Sequence, residues 1–165
     1  MRIILTPFLF LLVTQVNAAT YSWVGGKYAN FSDPSSWSSF DQKHHTVPGP
    51  GDDIVFSNNR DVRIVLDRDI ELRNITVEKS AHVVFFVQRP VTITVTGSLN
   101  LKTRTYFKGK VGFNFETRSS SSSIKNSGTQ YTGDIVFDGK HPLTVLDPLQ
   151  TSGNIILRNQ EIFAK

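Results

Sequence analysis

Short apolar runs separated by polar turns recur along most of the chain. They are DIVF (53–56), VRIVL (62–66), NITV (74–77), HVVFFV (82–87), VTITVT (91–96), SLNL (98–101), VGFNF (111–115), DIVF (134–137), LTVL (143–146) and NIIL (154–157). β-branched and aromatic residues dominate the runs, and Gly, Asn, Asp, Pro or Ser separate them, which is the composition of strands and their turns. Helical periodicity is nearly absent. The pattern predicts an all-β chain.

A longer period is superimposed. Ile54, Ile75, Leu99, Ile135 and Ile155 open similar units, at spacings of 21, 24, 36 and 20 residues. The long interval holds RSSSSSIKNSGTQ (118–130), which reads as a flexible Ser-rich surface loop inserted into the repeat. GDIVFDG (133–139) and GNIILRN (153–159) read as two copies of one rung. Such a period marks stacked supersecondary units, each unable to bury its apolar face alone. Residues 53–165 are therefore expected to form a short parallel β-solenoid (β-helix) of roughly four or five coils. The alternative is an antiparallel β-sandwich with similar turn spacing. Asp138-Gly139 is the only Asn-Gly or Asp-Gly hairpin signal, and that favours the solenoid.

The first eighteen residues have the plan of a secretory leader. Arg2 supplies the positive start, residues 3–13 are apolar apart from Thr6 and Pro7, and Val16 and Ala18 are small residues where a signal peptidase reads. The run falls short of the about 20 apolar residues that cross a bilayer. A signal peptide over 1–18, a secreted extracellular product and no stable membrane insertion are expected. Two sequons fit that route, Asn30-Phe31-Ser32 and Asn74-Ile75-Thr76, so Asn30 and Asn74 are candidate glycosylation sites. The chain has no cysteine, which excludes disulfides, thiol catalysis and cysteine-ligated metals. The net charge of +4 falls by one, to +3, once Arg2 is removed. Basic residues are scattered without a stripe, so no nucleic-acid partner is expected.

Residues 19–52 read as a cap on the N-terminal end of the stack, which would otherwise expose pairing edges. Trp23 and Trp37 supply apolar area, Tyr28 and Phe31 add to it, and Asp33-Pro34 and Pro48-Gly49-Pro50-Gly51 form non-pairing turns before Asp52-Asp53. TYSWVGGKYANFSDPSSWSS followed by VPGPGDDIVF resembles the opening of extracellular β-solenoid surface proteins of the amnionless-like and bacterial autotransporter-like kinds. From Trp37 onward it is also similar to the extracellular domain named for its eight glycines. The match is carried by Trp23, Gly26, Asp33, Trp37, Val47, Pro48, Gly51, Asp52 and Val55 and covers about 35 residues. Ser36 stands where those openings have Asn. The resemblance implies a secreted solenoid cap and supplies no catalytic residue.

Candidate chemistry is sparse. His44-His45, His82 and His141 do not form a metal-ligand spacing. Asp52-Asp53, with Asp33, has oxygens for calcium, but turn and strand-start roles explain the pair equally. Asp67 and Asp69, with Arg63 and Arg68, are the best acid–base cluster for a polysaccharide-processing enzyme, and they also read as a charged edge. No catalytic residue, metal or cofactor is expected. TYFKGKVGFNF (105–115) interleaves aromatic and basic residues. Tyr106, Phe107, Lys108 and Lys110 are its candidate glycan-binding residues, and Phe113 and Phe115 alternate as core residues would. The overall expectation is a secreted, non-enzymatic structural or interaction protein of an extracellular matrix, skeleton or cell surface. Its expected partners are matrix or surface proteins and a further copy of itself at the open C-terminal coil. A carbohydrate-binding module is the alternative, and a remnant of a polysaccharide-processing enzyme the third reading.

Overall fold

A computed structural model of the chain describes residues 18–39, 46–57 and 61–165. The expected leader, apart from Ala18, lies outside the described residues, and so does His44-His45. The described chain is a three-faced parallel β-solenoid. Its first strands are β1 (Thr20–Trp23) and β2 (Tyr28–Asn30), followed by a 3₁₀ turn at Pro34–Ser36 and β3 (Trp37–Ser39). Five coils of three strands follow. They are β4 (Asp53–Phe56), β5 (Asp61–Val65) and β6 (Ile70–Leu72); β7 (Asn74–Val77), β8 (His82–Phe86) and β9 (Val91–Val95); β10 (Leu99–Leu101), β11 (Tyr106–Lys108) and β12 (Val111–Phe115); β13 (Ser122–Lys125), β14 (Gln130–Tyr131) and β15 (Ile135–Phe137); and β16 (Leu143–Val145), β17 (Gln150–Thr151) and β18 (Ile155–Leu157). β19 (Ile162–Ala164) starts another turn.

Apart from β3, each strand pairs in parallel with a counterpart one coil away, with a break between β11 and β14. Sheet A runs β19-β16-β13-β10-β7-β4-β1-β3, sheet B β11-β8-β5-β2, sheet C β18-β15-β12-β9-β6, and β14 pairs with β17. The strand period of two sends alternate residues into a shared core. On sheet A, Tyr21, Ile54, Ile75 and Leu99 stack in register. On sheet C, Ile70, Ile93, Phe113, Ile135 and Ile155 form one column and Leu72, Val95, Phe115, Phe137 and Leu157 another. Ile135 is fully buried and Phe137 1 % exposed, whereas Ile155 is 52 % and Leu157 62 % exposed on the last coil. The expected coil, with Ile135 stacked on Ile155, is therefore present, and Ile155 and Leu157 are exposed on it.

Three sequence expectations need correction. Residues 118–130 are not an inserted loop: they contain β13 and lead into β14, and Ser122, Ile124, Asn126 and Thr129 are buried. The 36-residue interval arises because Leu99 lies on sheet A and Ile135 on sheet C, so the series changes face. The cap also extends less far than 19–52, because β1 pairs in parallel with β4 and β2 with β5, making both strands the first rung of the stack.

The cap proper is β3, which pairs antiparallel to β1 and sets Trp37 opposite Trp23. Trp37 is fully buried and its indole N–H donates to the Phe31 carbonyl at 2.8 Å. Phe31 is also fully buried, but Tyr28, expected to join it, is 61 % exposed on the outside of sheet B. The Asp33 carboxylate caps the 3₁₀ turn, accepting from the Ser35 hydroxyl at 2.7 Å and the Ser35 N–H at 2.9 Å. Those bonds hold its pKa below the usual carboxylate value. The Ser36 carbonyl accepts the Val24 and Gly25 N–H groups. Pro48 is buried, and Gly51 has φ +85°, a left-handed turn suited to glycine. Asp52 then joins the turn to β1, accepting from the Ala19 N–H at 3.0 Å and the Gly49 N–H at 2.9 Å.

Candidate binding face

Sheet B has one face in the core and one in solvent. Ala29, Ile64, Phe85 and Phe107 stack inward in register. The intervening positions point outward in two columns. One is Tyr28, Arg63, Val84 and Tyr106, and the other Asn30, Val65, Phe86 and Lys108. Asp61 and His82 start a third column, their carboxylate and ring nitrogen 3.0 Å apart.

The outer columns carry an aromatic strip along the solenoid axis. Tyr28 leans toward Phe86 with ring centroids 6.2 Å apart, and His82 lies 5.4 Å from Tyr106. Val65 and Val84, between these rings, are buried although they face outward. The Arg104 guanidinium lies 5.3 Å from the Tyr106 centroid and the Lys108 ammonium 5.3 Å from that of Phe86. Each ring quadrupole attracts the cation above it.

Four cations off this face are paired with carboxylates. Arg73 is held by Asp53 at 2.7 Å, Lys102 by Glu78 at 2.8 Å, Arg118 by Glu71 at 3.0 Å and Arg158 by Asp138 at 3.3 Å. The bonded Asp53 carboxylate is the main cause that raises the Arg73 pKa. A groove of about 380 Å³ runs beside Arg73, Gly97, Ser98 and Arg118, and both of its guanidinium groups are already paired. On sheet B, Arg63, Arg104 and Lys108 take part in no ion pair among the described residues.

The structure thus divides the predicted aromatic–basic cluster. Tyr106 and Lys108 are on the outer face. Phe107 points inward and is half-buried against the core, stacked 5.3 Å from Phe85 and 5.9 Å from Tyr131, so it does not lie on the outer face with Tyr106 and Lys108. Lys110 is exposed at the corner after β11, beyond the strip, and its carbonyl accepts the Val91 N–H. Phe113 and Phe115 are buried, as their alternation implied. Tyr28, Arg63, His82 and Phe86 were not singled out as partners of this cluster. They join it only through coil register, which local clustering along the sequence does not reveal.

The other candidates are tied into the scaffold. Asp67 accepts a short hydrogen bond from the Ser32 hydroxyl, and Asp69 accepts the Thr92 N–H at 2.8 Å. Asp53 accepts from Arg73 and from the Asn74 amide at 2.9 Å. The Asn74 side-chain oxygen in turn accepts the Ser98 N–H at 2.7 Å, so this sequon asparagine is part of a corner ladder. Asn30 is exposed on the outer face of sheet B beside Tyr28. The His141 carbonyl accepts from the Thr117 hydroxyl at 2.7 Å. Among the described residues no three His, Asp or Glu side chains gather as a metal site. No helix among them is long and apolar enough to cross a membrane. No family model, no curated protein and no solved structure matches the chain.

Proposed function

We propose that this protein is a secreted, non-enzymatic structural or interaction element of an extracellular matrix, skeleton or cell surface, and that it docks through the outer face of sheet B. The observation that carries this reading is the strip of Tyr28, Phe86 and Tyr106, with Arg104 and Lys108 seated over its rings and in no ion pair among the described residues. β8, which carries Phe86, is hydrogen-bonded on both sides, and β2 and β11, which carry Tyr28 and Tyr106, are each held to a neighbouring strand, so the backbone beneath the rings is ordered before a partner binds. The leader plan and the resemblance of the opening to extracellular solenoids support the placement outside the cell. The exposed column end at Ile155 and Leu157 supports self-association as a second contact.

Sequential extraction of the source tissue tests this. The reading expects the mature chain mainly in the denaturant or demineralising extract, and a Tyr28→Ala/Tyr106→Ala variant shifted into the soluble fraction. A freely soluble chain, unaffected by the two substitutions, would overturn it. Sedimentation at high concentration tests the second contact, and a persistent monomer would remove it.

A further inference from the structure

We propose that the outer face of sheet B is a binding site for an acidic polysaccharide, which lies along the solenoid axis across β2, β5, β8 and β11. This rests on the reading that this face is the docking surface, and it names the chemistry of the ligand. Two arguments select that chemistry.

The first is size. Four strands at about 4.8 Å, each contributing three to five residues at about 3.3 Å, make a face of roughly 200 to 300 Å². A stable protein–protein interface takes about 800 Å² per partner. The face alone offers about a third of that area and suits an extended polymer chain that crosses the rungs. Tyr28 and Tyr106 occupy one outward column three rungs apart, roughly 14 Å along the axis. A chain laid along that column meets both rings, with the Phe86 ring beside it in the neighbouring column.

The second is charge. Off this face four Arg and Lys residues are neutralised by carboxylates and others, such as Lys79 and Lys125, are not among the described residues, so what sets this face apart is that its cations sit over aromatic rings. Here Arg63, Arg104 and Lys108 take part in no ion pair among the described residues, and Asp61 sits at the rim of the face with His82. Arg104 and Lys108 are placed over rings, so a sugar stacked beside a ring brings its carboxylate or sulfate within reach of a cation. The guanidinium fork matches either anion. The rings contact the apolar faces of the sugars, and the cations select the acidic ones.

The test is affinity electrophoresis of the mature chain through gels containing heparin (sulfate and uronate), alginate (uronate alone) or dextran (neutral). Retardation by heparin or alginate but not dextran is expected, and the comparison tells whether carboxylate alone suffices. It should fade toward 1 M salt, where the Debye length is about 3 Å. Arg104→Gln/Lys108→Gln, which leaves the core intact, should weaken binding about tenfold. Lys79→Gln/Lys125→Gln removes the same charge from exposed positions off this face and should leave binding unchanged. An equal loss in both variants, equal retardation by dextran, equal retardation by oligo(dT), or no retardation at all would overturn the proposal. Matrix retention that depends on Tyr28 and Tyr106 but survives digestion of the polysaccharides would overturn the ligand class and leave the docking face standing.

Discussion

Trp37 stands edge-on to Trp23, with ring centroids 4.9 Å apart and planes at 87°. The pair closes the apolar column below Phe56, whose ring is 6.0 Å from Trp37. Trp37→Ala should therefore cost about 3–5 kcal/mol, the range for a large buried aromatic. Trp37→Phe should cost less, because it keeps a ring and loses mainly the N–H bond to the Phe31 carbonyl. Chemical denaturation of the three proteins checks the order, and equal midpoints for wild type and Trp37→Ala would show that the cap does not hold the stack.

Gly97 lies where two coils meet at a corner. A Cβ there would stand 2.4 Å from the Asn74 side-chain oxygen and 2.8 Å from the Arg73 carbonyl oxygen. The carbonyl belongs to backbone and cannot rotate away. Gly97→Ala should cost about 1–3 kcal/mol through overpacking. Gly26→Ala, which meets nothing within 4 Å, should lie near neutral in the same thermal melt.

The fold was legible because inward positions alternate with period two and the coils repeat. The phase was not. Leu99 and Ile135 look alike in sequence but belong to different sheets, since each face offers the same apolar column to the core. β13 was hidden because its neighbourhood is polar. Asn126 is buried at its C-terminal end, donating to the Pro148 carbonyl at 2.6 Å and accepting the Gly128 N–H at 2.9 Å. A corner can thus be built from hydrogen bonds, and hydropathy alone reads it as a loop. The candidate face was half legible. Tyr106 and Lys108 are close in sequence, but Tyr28, Arg63 and Phe86 reach them from other coils.

Asn30 and Asn74 should differ in glycosylation. The Asn74 side-chain amide donates to Asp53, and its oxygen accepts the Ser98 N–H, so a glycan there would break the corner ladder. Asn30 is exposed on β2. Glycopeptide mass spectrometry of protein secreted from eukaryotic cells should find Asn30 occupied and Asn74 bare. Because Asn30 sits at the end of the strip, Asn30→Gln should bind acidic polysaccharide as well as or better than wild type. Weaker binding would mean that the asparagine or its glycan contributes contacts.

Leu157 and Phe137 share one column but not one environment. Phe137 is 1 % exposed and stacks 5.5 Å from Phe115, whereas Leu157 is 62 % exposed. Phe137→Ala should cost about 3–5 kcal/mol and Leu157→Ala less than about 1 kcal/mol in dilute protein, because little apolar area returns to water there. If Leu157→Ala becomes costly as protein concentration rises, the open column is an interface between copies.

Tyr131 faces into the core on β14, 2 % exposed, with its ring 5.0 Å from Phe113. Its hydroxyl makes no hydrogen bond among the described residues. Burial pushes its pKa well above the ordinary phenol value, and the charge of Asp147 pushes in the same direction. The folded protein therefore holds this proton more tightly than the unfolded chain, whose tyrosines titrate near pH 10. Stability from this group is fully present below about pH 10 and is lost as pH rises toward the folded pKa. Tyr131→Phe removes both the orphaned hydroxyl and the titration. At neutral pH it should raise stability by about 1 kcal/mol, a few degrees in Tm for a chain of this size. Above pH 10 its advantage over wild type should widen. A constant difference between the two melting curves across pH 8 to 11 would mean that Tyr131 ionises as readily in the folded state as in the unfolded one, and the buried, unpartnered placement of its hydroxyl would have to be abandoned.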